Sequence, residues 1–267
     1  MNTPHRISPQ GLVGMVHLEA LPGTPNHTYT PSQIIERAVS DATILASCGF
    51  DSILIENMHD APYMLREVGS EIIAMMTSAV SAVRDAVDIP IGLQILAGAN
   101  QAAISVAHAT GCSFIRAEGF AYAGVADEGL FATADAGPLL RHRKAIGAES
   151  IAIWSDVKKK HSAHAITSDL DLEEMIHGHV FCGTDAVIIT GTATGSPVNS
   201  EDLNIATSIN ACPILVGSGA TPQSIPQLLA SADAVIIGSA IKIDGNWRNP
   251  VDPERATQAA EARDSAR

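Results

Sequence analysis

The sequence predicts a single (β/α)8 barrel, in which eight parallel strands alternate with helices. Three observations support this fold class: eight short apolar runs, longer helical patterns between them, and a length of 267 residues that fits one such barrel. No stretch has the composition of a linker, so we expect one domain over residues 1–267 with its core at about 10–260. A doubly wound open sheet is the alternative, but the sequence lacks the glycine-rich dinucleotide turn that such a sheet should carry.

Each predicted strand is a short run of apolar residues. Most of these runs are continuously apolar rather than alternating, which is typical of strands that are buried on both faces. The eight runs are Leu12–His17, Asp51–Glu56, Ile91–Leu96, Phe114–Ala117, Ser150–Val157, Ala186–Thr190, Ile214–Val216 and Ala234–Gly238.

Helical patterns fill the intervals between the predicted strands. They cover Ser32–Cys48, Glu71–Ala86, Gln101–Thr110, Asp171–Cys182, Ser200–Ala211 and Pro222–Leu229. The segment Glu118–Arg143, between the fourth and fifth strands, is long for one connection, and long loops in compact domains often serve function. We predict that it folds over the mouth of the barrel and then forms a short helix.

The composition of the chain limits the kinds of molecule that it is expected to bind. The chain has 16 Lys and Arg residues against 29 Asp and Glu residues, a formal net charge of -13, which disfavours nucleic-acid and anionic-membrane surfaces. The longest apolar helix candidate, Ile72–Val83, is too short to cross a bilayer, and the N-terminus lacks the apolar stretch of a signal peptide. We expect a cytoplasmic homo-oligomer that binds a small phosphorylated substrate.

Four widely spaced cysteines without a CxxC pair predict buried, reduced thiols.

Two glycine-rich turns follow the last two predicted strands. In a (β/α)8 barrel, backbone N–H groups at this position often bind phosphate, and a short helix after the eighth strand would add its positive end. Two ordinary tight turns are the alternative interpretation. The predicted phosphate-binding residues are Gly191, Gly217, Ser218, Gly219, Gly238, Ser239 and Lys242.

Two charged segments could carry the chemistry. Glu56 ends a buried strand, where a carboxylate is costly unless it is used or paired, and Asn57, His59 and Asp60 follow it. The alternative is a solvated loop in which Asp60 caps a helix. In the segment Asp156–His161, a lysine beside a carboxylate could form an imine or transfer protons, although a triple lysine is often a solvated face.

These positions give the candidate active-site residues. The predicted catalytic residues are Glu56, Arg116, Asp156, Lys158 and His161, and the predicted substrate-binding residues are His17, Asn57, Asp60, Gln94, Glu118 and Thr190. Glu56 or Asp156 would act as the base, Lys158 or His161 as the acid or electrophile, and Arg116 as an anion clamp. No cofactor is predicted, and a divalent metal stays open.

The chain resembles the BtpA/SgcQ family over nearly its whole length, and the matching stretches occur in the same order. The matching stretches are Gly14–Pro25, Gly49–Tyr63, Phe114–Gly129, Asp156–His161, Asp185–Gly195, Ile214–Thr221 and Ala232–Asp252. The resemblance implies a TIM barrel grouped with the ribulose-phosphate-binding barrels. One branch of the family is tied to photosystem I accumulation in cyanobacteria, and others occur beside sugar-uptake genes. Ala97-Gly98 stands where the family usually has Arg-Asn, and Glu118 stands where it usually has a small polar residue.

Three functional hypotheses follow. The first and favoured one is an enzyme of the isomerase, epimerase, aldolase or lyase type that acts on a small phosphorylated sugar or related metabolite. The second is a photosystem I biogenesis or stability factor without catalysis. The third is a metal-dependent hydrolase that uses Glu56, His59, Asp60 and His161.

Overall fold

The computed structural model describes residues 6–191 and 194–266. Eight parallel strands close into a barrel, which confirms the predicted fold class. The barrel strands are β1 (Gly11–His17), β2 (Ser52–Glu56), β3 (Ile91–Gln94), β4 (Phe114–Ala117), β7 (Ala152–Asp156), β9 (Ala186–Ile189), β10 (Ile214–Val216) and β11 (Ala234–Ile237). Their order around the barrel is β1-β11-β10-β9-β7-β4-β3-β2, so sequential barrel strands are neighbours throughout.

Helices surround the barrel and follow its strands. They are α1 (Pro31–Ser47), α2 (Ser70–Ala86), α3 (Asn100–Thr110), α4 (Ala136–Ala145), α5 (Leu172–Phe181), α6 (Ser200–Ile209), α7 (Ile225–Leu229) and α8 (Pro253–Asp264). The helical patterns in the sequence do not include α8, because its buried apolar positions are alanines and its apolar periodicity is weak. None of the helices in the described ranges is long and apolar enough to cross a membrane.

Local side chains determine where several helices begin. The Thr30 side chain accepts a hydrogen bond from the Gln33 N–H, and the Gln33 side chain accepts one from the Thr30 N–H, which forms a capping box. Asp171 and Glu174 form the same arrangement at α5. These reciprocal bonds satisfy N–H groups that have no partner within the helix.

The core has two layers that follow from the alternation of side chains along each strand. In β1, Leu12 and Val16 pack outward against the helices, whereas Val13 and Met15 point into the barrel. The Phe114 and Trp154 rings stack inside the barrel with their centroids 3.6 Å apart. This apolar plug fills the interior, so polar side chains at the C-terminal strand ends gather at the mouth above it.

The long segment after β4 forms a hairpin before α4. Its strands β5 (Gly124–Ala126) and β6 (Gly129–Phe131) pair antiparallel, and β8 (Ser162–Ala163) adds to β5. Arg66 fixes the base of this segment by donating hydrogen bonds to the carbonyl oxygens of Glu118, Gly119 and Thr133. Since Glu118 and residues of the hairpin line a cavity at the strand ends, this segment covers part of the mouth, as predicted.

The four cysteines differ in their burial. All four are free thiols, but only Cys112 is buried. Cys48, Cys182 and Cys212 are partly exposed, so the expectation of four buried thiols is wrong for these three residues.

Lys242 is fully buried and forms an ion pair with α1. Its Nζ donates to Oδ2 of Asp41 at 2.7 Å, and the Val251 N–H donates to Oδ1 of the same carboxylate at 2.9 Å. The pair fastens the segment after β11 to α1. The amine is engaged with Asp41 and does not line the mouth cavities, so the structure gives no support to the predicted contact of Lys242 with a phosphate.

We expect Lys242→Met to lower the free energy of unfolding by about 3–5 kcal/mol, because it leaves the Asp41 carboxylate buried without its cation. Adding Asp41→Asn should recover part of this loss. Urea denaturation measures both effects. Lys144→Met is the matched control, since Lys144 pairs with Glu149 at the surface and its loss should change stability little. A Lys242→Met variant as stable as this control would contradict the structural role of the pair.

Candidate active site

The mouth of the barrel contains two connected cavities. The first, here called the glycine cavity, has a volume of about 360 Å³ and is lined at one end by the turns after β10 and β11. The second, the acidic cavity, has a volume of about 450 Å³ and contains Glu118, Asp127 and Glu128. Glu56, Met58, Lys160 and Thr194 line both cavities and so mark their junction.

The turn after β10 needs its glycines for close packing. A Cβ atom on Gly217 would meet the side chains of Ile188 and Thr190. Gly219 has a φ of +71°, and a Cβ atom there would meet the backbone of Ser196 and Pro197. The two glycines therefore let the turn lie against the loop after β9 while its backbone faces the glycine cavity.

Ser218 joins the turn after β10 to the loop after β9. Its Oγ accepts a hydrogen bond from the Gly191 N–H at 2.7 Å and donates one to the carbonyl of Ser196 at 3.0 Å. The Thr190 hydroxyl donates to the carbonyl of Lys158 at 2.8 Å. Gly191 and Thr190 thus hold the loops together, and neither lines the two cavities, so their predicted contacts with phosphate and substrate stay predictions.

Besides Arg116 and Lys160, the glycine cavity has a third cation that the sequence did not predict. The predicted short helix after β11 is only one 3₁₀ turn, Ser239–Ile241, so its dipole is small. Arg255, in the first turn of α8, lines the cavity beside Ser239 and Ala240. The signal for Arg255 is Asp252-Pro253, which predicts a helix start in the connection that follows the eighth strand.

Arg116 and Asp156 form a buried, bidentate ion pair. Nε of Arg116 donates to Oδ2 of Asp156 at 2.9 Å, and Nη2 donates to Oδ1 at 2.7 Å. Burial lowers the pKa of Arg116, but the charge and hydrogen bonds of Asp156, followed by the charges of Glu56 and Glu118, raise it overall. The two charges are paired with each other, and Arg116 also lines the glycine cavity. The predicted roles of Arg116 as an anion clamp and of Asp156 as a base stay predictions.

The three consecutive lysines point in different directions. Lys159 pairs with Glu128 at 3.1 Å and lies 3.8 Å from Glu118. Lys160 lines both mouth cavities, whereas Lys158 lines neither. Burial, and then the nearby Arg116 cation, lower the pKa of Lys160. Lys160 therefore replaces Lys158 as the candidate catalytic lysine.

Glu56 and His17 lie next to each other on β2 and β1. The carbonyl of Trp247 can only accept, so Nδ1 of His17 carries the proton at 3.0 Å, and Nε2 lies 3.8 Å from Oε2 of Glu56. Burial raises the pKa of Glu56. Burial, followed by the charge of Lys242, lowers the pKa of His17 well below its ordinary value. A buried carboxyl group with a raised pKa thus faces a neutral imidazole, an arrangement suited to proton transfer.

Two buried oxygen atoms of the acidic cavity lack hydrogen-bond partners within the described residues. They are Oε1 of Gln94, at the end of β3, and Oε2 of Glu118, just after β4. Burial raises the pKa of Glu118 to about 7, although Lys159 opposes the shift. Buried polar atoms without partners are costly, so this side of the mouth is suited to a ligand that donates hydrogen bonds.

Asn57 and Asp60 connect loops at the base of the mouth. The Asn57 side chain donates to Oδ2 of Asp60 and accepts from the Leu96 N–H, both at 2.8 Å. Oδ1 of Asp60 accepts from the Leu21 N–H at 2.8 Å. These groups bond to protein partners and do not line the two cavities, so the predicted contact of Asn57 and Asp60 with substrate stays a prediction.

His161 lines the acidic cavity, and its ring is held in place by the backbone. Nε2 accepts a hydrogen bond from the Thr194 N–H at 3.1 Å, which leaves the proton on Nδ1, 3.9 Å from Oδ2 of Asp127. His59 instead bonds the carbonyl of Leu18 through Nδ1. Within residues 6–191 and 194–266, no three His, Cys, Asp or Glu side chains are grouped so that they could hold a metal ion.

The structure therefore sorts the predicted site residues into two groups. Those that line the mouth cavities are His17, Glu56, Gln94, Arg116, Glu118, His161, Gly217, Ser218, Gly219, Gly238 and Ser239. Those that pair with or support protein groups outside the two cavities are Asn57, Asp60, Asp156, Lys158, Thr190, Gly191 and Lys242.

The fold and the mouth define a (β/α)8-barrel protein with a polar cavity at the C-terminal strand ends. The chain belongs to the BtpA family, whose model matches residues 8–265. A Caenorhabditis elegans protein described as mitochondrial is 41% identical over 92% of this chain and 90% of its own length. The photosystem I biogenesis protein BtpA of Synechocystis is 34% identical over 94% and 87%, respectively.

A solved structure supports the same architecture. Phosphoribosyl anthranilate isomerase from Thermus thermophilus aligns with a TM-score of 0.60, covering 97% of this chain and 100% of that chain. The sequence identity is only 10%, so the similarity is one of fold.

Glu118 should make the stability of the protein depend on pH. Its folded pKa of about 7 lies above the ordinary value of 4.5, so its contribution is present below the ordinary pKa and lost as the pH rises through 7. Between about pH 5 and pH 8, Glu118→Gln should gain on the order of 3 kcal/mol of unfolding free energy relative to the wild type.

Urea denaturation at a series of pH values measures this difference. Glu67→Gln removes an exposed carboxylate and serves as the control for a general change of charge. A difference between Glu118→Gln and the wild type that does not change with pH would contradict the raised pKa.

Proposed function

We propose that this protein is an enzyme that acts on a small phosphorylated carbonyl compound, such as a sugar phosphate, by a reaction of the isomerase, epimerase, aldolase or lyase type. One observation carries the proposal: a glycine-lined end with Arg255 is continuous with a junction that contains Glu56 and Lys160. A ligand whose phosphate lies among the glycines would extend toward these ionisable groups.

Backbone donors support the phosphate part of the proposal. Within the described part of the chain, the N–H groups of Ser218, Gly219 and Ala220 donate no hydrogen bond, and all three residues line the glycine cavity. Three successive N–H groups of this kind can bind an anion. The half-exposed guanidinium of Arg255, which lies 3.8 Å from Asp252, would add charge beside them. Directed donors of this kind bind an anion despite the net charge of -13.

The junction supports proton transfer. Glu56, with its raised pKa, can give up a proton, and the neutral Nε2 of His17 can take one from the same side of the cavity. Gln94 and Glu118 add buried oxygen atoms that could accept hydrogen bonds from hydroxyl groups of a sugar. A binding role without catalysis gives no reason to place a proton donor and a proton acceptor side by side in the cavity.

Arg255→Met tests the phosphate part of the proposal. Titration calorimetry should show that the wild type binds D-glyceraldehyde 3-phosphate and that Arg255→Met binds it at least about tenfold more weakly, because one charge-assisted hydrogen bond is lost. Arg141→Met removes an exposed cation from α4, outside both cavities, and should leave the affinity unchanged.

The Arg255 position makes a cleaner test than the glycines. A side chain on Gly219 would displace Ser196 and Pro197 and so change the loop itself. Equal affinity in Arg255→Met and the wild type, or tighter binding of unphosphorylated glyceraldehyde, would count against a phosphate site.

A further inference from the structure

Lys160 differs from the other lysines that are buried or lie near the mouth. Lys242 is paired with Asp41, and Lys159 with Glu128 and Glu118. Lys160 Nζ has no ion pair or hydrogen bond within residues 6–191 and 194–266, although it faces both cavities. We propose that Lys160 is the nucleophile of the reaction and forms an imine with the carbonyl carbon of the substrate.

This proposal rests on the proposed function and assigns its chemistry to one atom. Lys160 lies at the junction, between the free N–H groups of the glycine cavity and the unpartnered oxygens of Gln94 and Glu118. A carbonyl compound bound by its phosphate at the glycine end would place its chain across this junction. The amine is then the nucleophile within reach of the carbonyl carbon.

The surrounding charges favour a reactive amine. An imine-forming lysine must attack in its neutral form, and burial and Arg116 both favour that form of Lys160. The carboxylates of Glu56, Asp156 and Glu118 oppose this effect. The two oxygens of Asp156 are bonded to Arg116, and within the described residues the amine forms no hydrogen bond or ion pair with any of the three. The amine therefore has no directly bonded counterion at the place where the substrate would lie.

Glu56 is the group that can move the protons of this step. The neutral Nζ bonds to the carbonyl carbon as the C=O π bond breaks, and the oxygen takes the Glu56 proton. One N–H proton then returns to the Glu56 carboxylate, which leaves a neutral carbinolamine. Glu56 next protonates the hydroxyl group, which departs as water while the nitrogen lone pair forms the C=N bond. The products are an iminium, water and the Glu56 carboxylate, which can remove a proton from the neighbouring carbon.

Reductive trapping tests the imine directly. We would incubate the wild-type protein with D-glyceraldehyde 3-phosphate and sodium cyanoborohydride at neutral pH and map the modified lysines by mass spectrometry. The adduct has the mass of the aldehyde less one oxygen atom. Lys160 should be modified at least about tenfold faster than Lys158, because a bound phosphate would hold the aldehyde beside Lys160 and not beside Lys158.

Inorganic phosphate provides a competition control in the same protein. It should slow the modification of Lys160 and leave Lys158 unaffected, because only Lys160 adjoins the glycine cavity. Lys160→Arg keeps the positive charge but cannot form an imine, so the fast modification should disappear. Lys158→Arg is the matched control and should retain it. Thermal melting checks that both variants are folded. If a variant does not fold, the phosphate competition in the wild type still tests whether Lys160 forms the imine.

The outcomes separate this proposal from the proposed function. If the wild type binds D-glyceraldehyde 3-phosphate but Lys160 reacts no faster than Lys158, the imine is wrong and the phosphate site stands. If Lys160 reacts fast with glyceraldehyde and with its phosphate, and inorganic phosphate gives no protection, the imine stands and the phosphate site is wrong. If neither binding nor fast modification is seen, both proposals are overturned.

Discussion

The ion pair between Arg116 and Asp156 lies at the ends of neighbouring strands, and the charges of the mouth depend on it. Both side chains are almost fully buried, so the loss of either partner would leave an uncompensated charge. Asp156 is engaged by two hydrogen bonds, and the effect of Arg116 on the pKa of Lys160 exceeds that of Asp156. The pair therefore lets an unpaired amine lie beside two carboxylates whose pKa values are raised by burial, those of Glu56 and Glu118.

Some polar residues of the mouth hold the loops in position, and others face the cavities as candidates for contact with a substrate. Asn57 links Asp60 to the backbone after β3, and Ser218 links the loops after β9 and β10. Arg66 holds the start of the long segment that carries the hairpin. Groups with complete hydrogen bonding fix the loops in position, and the groups that are left without partners face the cavities. This division is the physical basis for separating positioning residues from candidates for substrate contact.

The fold could be predicted because its signals are local. A strand buried on both faces must be apolar along its length. The eight apolar runs can therefore be recognised without knowing which segments pack against them. The same reasoning missed α8, whose buried apolar positions are alanines. It also could not show that β8 pairs with β5, since that contact joins segments about 37 residues apart through backbone bonds that leave no periodic pattern.

By itself the sequence determined the barrel, the family resemblance and the chain positions that end at the mouth. Only the tertiary structure decided which of those side chains face the cavity. Lys158 and Lys160 are equivalent by strand alternation, but the segment leaves the strand after Asp156, and only Lys160 turns into the mouth. Lys242 is buried because it pairs with Asp41, which lies on α1, far away in sequence. Arg255 lines the cavity because of where α8 packs. Side-chain direction depends on partners far away in sequence, and those partners are set by packing.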